Sequence, residues 1–252
     1  MEKICDGFYP VDQEELLSRW RELNGIYICP KDEQGNRLGP LVGYAGTYKD
    51  DRGKDLAYVG DVYANFARVE TDPFTCPLWA RFLATSVRHR GYRPTLCIGA
   101  PMGGIVLATH LSNWLEVRIA FAEKKVMAVA AGADREKSKL VIARHDVWPS
   151  DNVIIVEDVC NNFSTTDEMI ELVHDHGATV VGIACALNRS SRKSYWVSNY
   201  GADIPIISLI HMELPEYQQD DPAVAVDMLR GNYVAKPKQS WSDLVKAMNQ
   251  AA

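Results

Sequence analysis

No apolar run in this 252-residue chain approaches the roughly 20 residues that a bilayer-spanning helix needs, so no membrane-embedded role is expected. The opening stretch, MEKICDGFYPVDQEE, lacks the apolar core of a secretory leader. Excess positive charge is also missing. The formal net charge is −6, which gives a nucleic-acid-coating role no electrostatic support. Paired cysteine motifs are absent as well. The six cysteines, Cys5, Cys29, Cys76, Cys97, Cys160 and Cys185, are scattered with no C-x-x-C spacing. Cys97 and Cys185 lie in apolar runs and read as buried small hydrophobes. This usage offers no structural zinc site and suits a reducing compartment, so a cytoplasmic protein is expected. Internal repeats and low-complexity tracts are lacking too.

What is present is a change of rhythm along the chain. Val11–Leu23 carries helical spacing through Leu16, Leu17, Trp20 and Leu23. Asn24–Asp61 is rich in Gly, Asp and Tyr and reads as an irregular antiparallel section. Cys76–Arg90 returns to helical spacing. From Pro94 the pattern becomes βαβ: TLCIGA, a PMGG turn, a helix over Ile105–Leu115, then VRIAFA. Val126–Lys139 reads as a loop, and KLVIAR (139–144) as a further strand. VIIVED, a helix over Thr166–His176, VVGIACAL (180–187) and IPIISLI (204–210) follow. These continuous apolar runs suit parallel strands buried on both faces. The tail holds a helix-like DPAVAVDMLRG and a final amphipathic piece bearing Trp241, Leu244, Val245 and Met248, fit to pack on the domain or on a partner subunit. The expected organisation is an N-terminal helix and hood (1–93), a core α/β domain (94–212) and a helical C-terminal extension (213–252), forming one integrated unit.

The chemistry concentrates in VIIVEDVCNNFSTTDEMIELVHDHG (153–177). Ligands of open α/β sheets sit beyond the carboxyl ends of the strands, where Glu157 and Asp158 fall. Two adjacent carboxylates there suit a sugar diol or a magnesium ion held through water. One carboxylate capping a loop and one facing solvent is the plainer alternative. Thr165 with Glu168 fits a capping box, and Asp167 adds charge to the first turn. The free amides of a helix start, with the hydroxyls of Ser164, Thr165 and Thr166, suit a phosphate. His174 and His176 are two apart on a helix and do not face a common metal. One absence stands out: the loop Cys160–Thr165 contains no glycine.

The strand, acidic pair, loop and helix resemble the diphosphoribose-binding motif of type I phosphoribosyltransferases, and among them the orotate enzymes. Other segments resemble that family in order, roughly over Asp12 to His211. CIGAPMGGIVLATHLSNWLEV is similar to its pyrophosphate loop and helix, which implies ligand contacts by Met102, Gly103 and Gly104. FAEKKVMAVAAGADREK stands where the family carries a basic catalytic loop, implying roles for Lys124 and Lys125. ALNRS stands where an arginine contacts the orotate carboxylate, which would be Arg189. YVGDVYANFARVETDP resembles the hood over the base. The resemblance implies a mainly parallel sheet flanked by helices, phosphoribosyl pyrophosphate and a planar base such as orotate as substrates, Mg²⁺, a place in pyrimidine biosynthesis, and a homodimer. It also implies substrate contacts by Glu157, Asp158, Asn161, Asn162, Ser164, Thr165 and Thr166, with Asp158 catalytic.

The chain departs from the family where the usual loop reads Thr-Thr-Gly-Gly. Asn161, Asn162, Phe163 and Ser164 stand there instead. Phe163 is expected not to take positive φ without real strain, whereas Asn161 or Asn162 can. The later lysine and histidine of the basic loop are also missing, with Arg135, Lys137 and Lys139 as substitutes. Tyr58 stands for a hood lysine. Three readings stay open: an active transferase with a remodelled loop, a ligand-binding regulator without turnover, and a related N-glycoside chemistry in which Phe163 stacks on a base.

Overall fold

The computed structural model describes residues 12–128, 137–197 and 201–250. In chain order the first elements are α1 (Gln13–Glu22), β1 (Ile26–Ile28), β2 (Leu41–Lys49), β3 (Asp55–Gly60), β4 (Val62–Ala64), α2 (Ala67–Glu70) and α3 (Thr75–His89). The middle holds β5 (Leu96–Gly99), α4 (Gly104–Leu115), β6 (Arg118–Phe121), β7 (Glu123–Ala128), β8 (Lys137–Val141) and β9 (Asn152–Cys160). Then come α5 (Ser164–Asp175), β10 (Thr179–Asn188), β11 (Ser194–Val197) and β12 (Ala202–His211). The tail adds α6 (Ala225–Leu229), β13 (Tyr233–Val234) and α7 (Trp241–Gln250).

Two compact units result. One is Glu70–Met212 with the chain up to Leu16; the other is Leu17–Val69 with Glu213–Ala252. The first is built on a six-stranded sheet in the order β11-β12-β10-β9-β5-β6. All neighbours are parallel except β11, which runs antiparallel to β12 at the edge. Leu96, Ile98, Val153, Ile155, Ile183 and Cys185 pack on one face with Met169, Ile170 and Val173 of α5. The apolar stripe of α5, set by 3.6-residue spacing, is what turns this helix onto the sheet. α3 packs on α4 and on β12, so it groups with the sheet and not with the hood.

In the second unit the hood strands and the tail fold together. β2 pairs antiparallel with β3 and parallel with β13. Trp241 and Leu244 of α7 are buried against Tyr27, Cys29, Val42 and Tyr44, and Trp241 Nε1 donates to Asn24 O (2.9 Å). The apolar face of the last helix is thus covered by its own unit. Arg37 reaches both Asp61 and Asp227, tying the hood to α6.

Three local expectations change, and one strand is added. The two ends of the predicted loop 126–139 are strand, and 129–136 lie outside the described residues: β7 and β8 pair with each other, apart from the six-stranded sheet. The strand expected over 139–144 is therefore β8, shifted back two residues and not part of that sheet. The helix expected over 221–231 is only five residues long. The run SYWV, passed over as a strand, forms the edge strand β11.

Candidate active site

The parallel strands deliver their carboxyl ends to one edge, and β9 overshoots its neighbour there. β5 pairs with β9 only as far as Gly99 opposite Val156, while β10 keeps pairing to Asn188 opposite Cys160. Glu157 and Asp158 therefore stand beyond the end of β5, beside the turn that follows it. Successive strand residues point to opposite faces, so the two carboxyls serve different surroundings. Asp158 meets the turn. A Cβ on Gly103 would collide with the Asp158 carboxylate, and a Cβ on Gly104 would collide with the Val156 carbonyl oxygen. Both glycines are needed because backbone lies directly against β9. Asp158 Oδ1 also accepts from Val159 N (2.9 Å). Met102 is exposed in the same turn, after a cis Pro101–Met102 peptide.

Glu157 is buried. Burial pushes its carboxyl up to about 8; the Asp158 charge adds to the rise and the Lys124 ammonium opposes it. Near neutral pH this side chain is therefore mostly a protonated carboxyl, while Asp158 is the partly exposed member of the pair. Lys124 follows β6 at the same edge and is exposed. The hairpin register puts Lys124 opposite Leu140, which is buried in the core of the sheet, and Lys125 opposite Lys139. Cross-strand partners share a face, so Lys124 lies on the sheet side of the hairpin, with Lys125 and Lys139 on the other. Of the proposed substitutes, Lys139 is exposed, and Arg135 lies outside the described residues.

The glycine-free loop closes in an unexpected way. Phe163, expected to avoid positive φ, adopts φ 62° and ψ 11° as the residue before α5. Its ring is only 3% exposed and stacks on Tyr195 (centroids 4.8 Å apart, planes at 27°). The Arg192 guanidinium lies 5.6 Å from the Phe163 centroid and 5.2 Å from that of Tyr195. The Tyr195 hydroxyl donates to Asp167 (2.5 Å). Burial, and then the Asp167 bond, hold that hydroxyl's pKa above its ordinary value. Phe163 is thus packed inside the unit and is not offered to a base.

Helix α5 also starts earlier than expected, at Ser164, and Phe163 O accepts from Asp167 N (2.8 Å). The capping box is therefore not formed; Thr165 is already inside the helix. Asn162 supplies the side-chain acceptor instead. Its Oδ1 receives both the Ser164 amide (3.2 Å) and the Ser164 hydroxyl (3.1 Å), an Asx-type turn. Thr166 is buried beneath the helix, which leaves Ser164 and Thr165 as the hydroxyls at its open end.

Arg189 is buried just after β10, and its amide donates to Cys160 O (3.0 Å), which puts it beside the loop Asn161–Ser164. The turn it belongs to is organised by a residue the sequence reading passed over. Asn188, 1% exposed, donates to Arg192 O (2.6 Å) and accepts from the Ser190 amide and hydroxyl (3.1 and 2.7 Å). The polar run N-R-S-S-R-K was the available signal for such a turn. Tyr195 had no comparable signal. Tyr58 belongs to the other unit, where it packs on Tyr48 (5.0 Å between centroids). Among the described residues no three His, Cys, Asp or Glu side chains converge on a metal position.

A relative named orotate phosphoribosyltransferase from Caldanaerobacter subterraneus subsp. tengcongensis is 28% identical over 163 residues, covering 64% of this chain and 75% of the relative. Another of that name, from Carboxydothermus hydrogenoformans, is 28% identical over 176 residues, covering 69% and 82%. In fold the chain is similar to the UMP synthase of Leishmania donovani, with TM-score 0.51 and 18% identity over 95% of this chain and 43% of that one. A family model described as the phosphoribosyl transferase domain matches residues 78–203, half of the chain, which spans the acidic pair, both loops and Arg189. The protein belongs to the phosphoribosyl transferase domain family.

Proposed function

We propose that the protein transfers ribose 5-phosphate from phosphoribosyl pyrophosphate to a planar base of the orotate kind, with Mg²⁺. The observation that carries this reading is the seat of Asp158 against Gly103. It brings Asp158 of the acidic pair onto the turn after β5, with Lys124 close enough to act on Glu157. The naming of the two relatives as orotate enzymes supports the choice of base.

In this reading Glu157, as a mostly protonated carboxyl, and Asp158 bind the ribose hydroxyls. Backbone at Met102, Gly103 and Gly104 receives the pyrophosphate. Ser164 and Thr165 hold the 5′-phosphate, with Asn161 and Asn162 shaping the turn beside it. Arg189 directs a carboxylated base. Lys124, and Lys125 from the far face of the hairpin, oppose the charge that grows on the departing pyrophosphate, where catalysis is chiefly positioning and electrostatics. The residues fit a magnesium ion only in part: two carboxyls on opposite strand faces make no cage, so substrate oxygens and water would complete its shell around Asp158. A bound Mg²⁺ neutralises phosphate charge. The setting is the cytoplasm; no described helix is long and apolar enough to cross a membrane. A second copy of the chain is the expected partner. Exposed Phe74, Leu78 and Trp114, the last bonded to Pro77 O, form an apolar surface that suits it.

One observation favours a second reading, a regulator that binds the same ligand without turnover. Asn162 already engages two of the donors at the start of α5. Calorimetry with phosphoribosyl pyrophosphate and Mg²⁺, then pyrophosphate release on adding orotate, separates the two. Binding with release is expected. Binding without release for any base would establish the regulator, and no binding would remove both. Asp158→Asn is expected to abolish binding or release, and an unchanged variant would refute the role of the acidic pair.

A further inference from the structure

The edge of the six-stranded sheet remote from Asp158, where the strands begin, carries a second recess. Helix α3 ends at His89 with Arg90 as its cap, and Gly91, at φ 80°, turns Tyr92, Arg93 and Pro94 back along its last turn. Tyr92 N donates to Val87 O (3.3 Å), and Arg93 O accepts from Asn152 Nδ2 (3.4 Å) at the start of β9. The fold-back leaves a cavity of about 310 Å³ lined by Arg88, Tyr92, Arg93, Pro94, Leu115 and Val117. That is the lower end of the size range of small-molecule sites.

Its charge is mostly positive. No Asp or Glu occurs from Thr75 to Leu115, a stretch that contains Arg81, Arg88, Arg90 and Arg93 in a chain of net charge −6, and the one acid nearby in sequence is the exposed Glu116 between Leu115 and Val117. Among the described residues no carboxylate pairs with Arg88, Arg90 or Arg93. Arg88 Nη2 donates to Trp114 O (2.6 Å), and Arg93 Nη1 donates to Tyr92 O (3.2 Å). Each guanidinium has five N–H donors, so both keep most of theirs for a ligand.

The plainest use of these arginines is to balance the carbonyl ends of α3 and α4, which both finish at this edge. A helix C-terminus carries roughly half a negative charge. Two such ends and the Glu116 carboxylate together offset about two of the three arginines Arg88, Arg90 and Arg93, leaving about one positive charge beside an apolar recess that Arg88 and Arg93 line. Helix capping alone does not account for that surplus.

We propose that this recess binds a small organic phosphate with a flat apolar body, of the nucleoside monophosphate kind. The phosphate lies between Arg88 and Arg93, whose forked donors match its oxygens. The ring lies on Tyr92, with Pro94, Leu115 and Val117 behind it. The site is separate from the Asp158 edge and does not depend on the transfer reaction.

Hydrogen–deuterium exchange with uridine 5′-monophosphate as the probe tests this by location. Protection is expected in peptides covering 87–95 and 115–118, in addition to any change over 157–166. Arg88→Gln/Arg93→Gln is expected to lose the first protection and keep the second. Arg93→Glu, a change at an exposed side chain, covers the case in which the double variant folds poorly. It is expected to weaken binding at this edge at least about tenfold. Absence of protection over 87–95 at saturating probe, or protection that survives both variants, would overturn the site. Equal protection by inorganic phosphate at the same concentration would overturn the claim that the organic body is recognised.

Discussion

Two loops frame the proposed pocket, one after β5 and one after β9, and they treat glycine in opposite ways. Gly103 and Gly104 stand where a Cβ would occupy the space of Asp158 or Val156, so the requirement is room. Phe163 stands where the chain takes φ 62°, so the requirement is a dihedral. Room has no substitute. A left-handed residue has one: its penalty of roughly 1–2 kcal/mol is offset if the side chain gains more elsewhere. Burying a phenyl ring contributes about 1.5–3 kcal/mol, and an aromatic pair about 0.5–1.5 more. The Phe163–Tyr195 stack is large enough to hold the turn that glycine would have allowed at no steric expense. The loop is remodelled in composition while keeping a left-handed entry to α5.

The largest expected effect tests that anchoring. Phe163→Ala removes the buried ring and keeps a strained φ, for a loss of about 3–5 kcal/mol by urea unfolding. Phe163→Gly loses the same ring but relieves the dihedral, so its loss is smaller by about 1–2 kcal/mol. Equal losses would mean that the dihedral carries no strain. On the other loop, Gly103→Ala pushes the Asp158 carboxylate from its seat. A drop of about 10²–10³ in kcat/KM, comparable to removing a preorganised group, is expected with pyrophosphate release as the readout. A variant within threefold of the wild type would show that the Asp158 position is not critical.

Glu157 extends the comparison to pH. Its folded pKa is raised from 4.5 to about 8, chiefly by burial. Between those values the folded protein holds a proton that the unfolded chain releases. Stability is therefore expected to be full below about 4.5, to decline as pH rises through about 8, and then to level off. The decline is on the order of a few kcal/mol. Urea midpoints at several pH values measure it, and Glu157→Gln should flatten the profile over that window. An unaltered slope in the variant would assign the decline to other groups.

How much of this was legible depends on the range of the interactions. β5, β9, β10 and β12 were readable because strands buried on both faces are runs such as VIIV and LCIG. α3 and α4 were readable from local spacing, and so was the body of α5. The acidic pair at a strand's end was readable with its neighbours. The pairing of β7 with β8 was not, although part of β8 was read as a strand, since the Ala, Gly and charged residues over 126–139 give the segment the composition of a loop. Nor was the conformation of Phe163, because the partner that stabilises it, Tyr195, lies 32 residues on in an edge strand with only four residues. Asn188 was hidden for the same reason: its value lies in three bonds to the turn it closes.

The smallest expected effect bears on the other half of the remodelled loop. Asn162 Oδ1 holds the Ser164 amide and hydroxyl, the task a helix-capping side chain performs. Asn162→Ala is therefore expected to lower stability by about 1 kcal/mol, or about 2–4 °C in Tm. The same change frees two donors at the open end of α5. If the 5′-phosphate sits there, affinity for phosphoribosyl pyrophosphate should tighten while Tm falls. Weaker binding by calorimetry would instead show that the Asn162 carboxamide itself touches the ligand. The remodelled loop would then contribute side chains where the loop after β5 contributes backbone, and the contrast between the two would extend from folding to recognition.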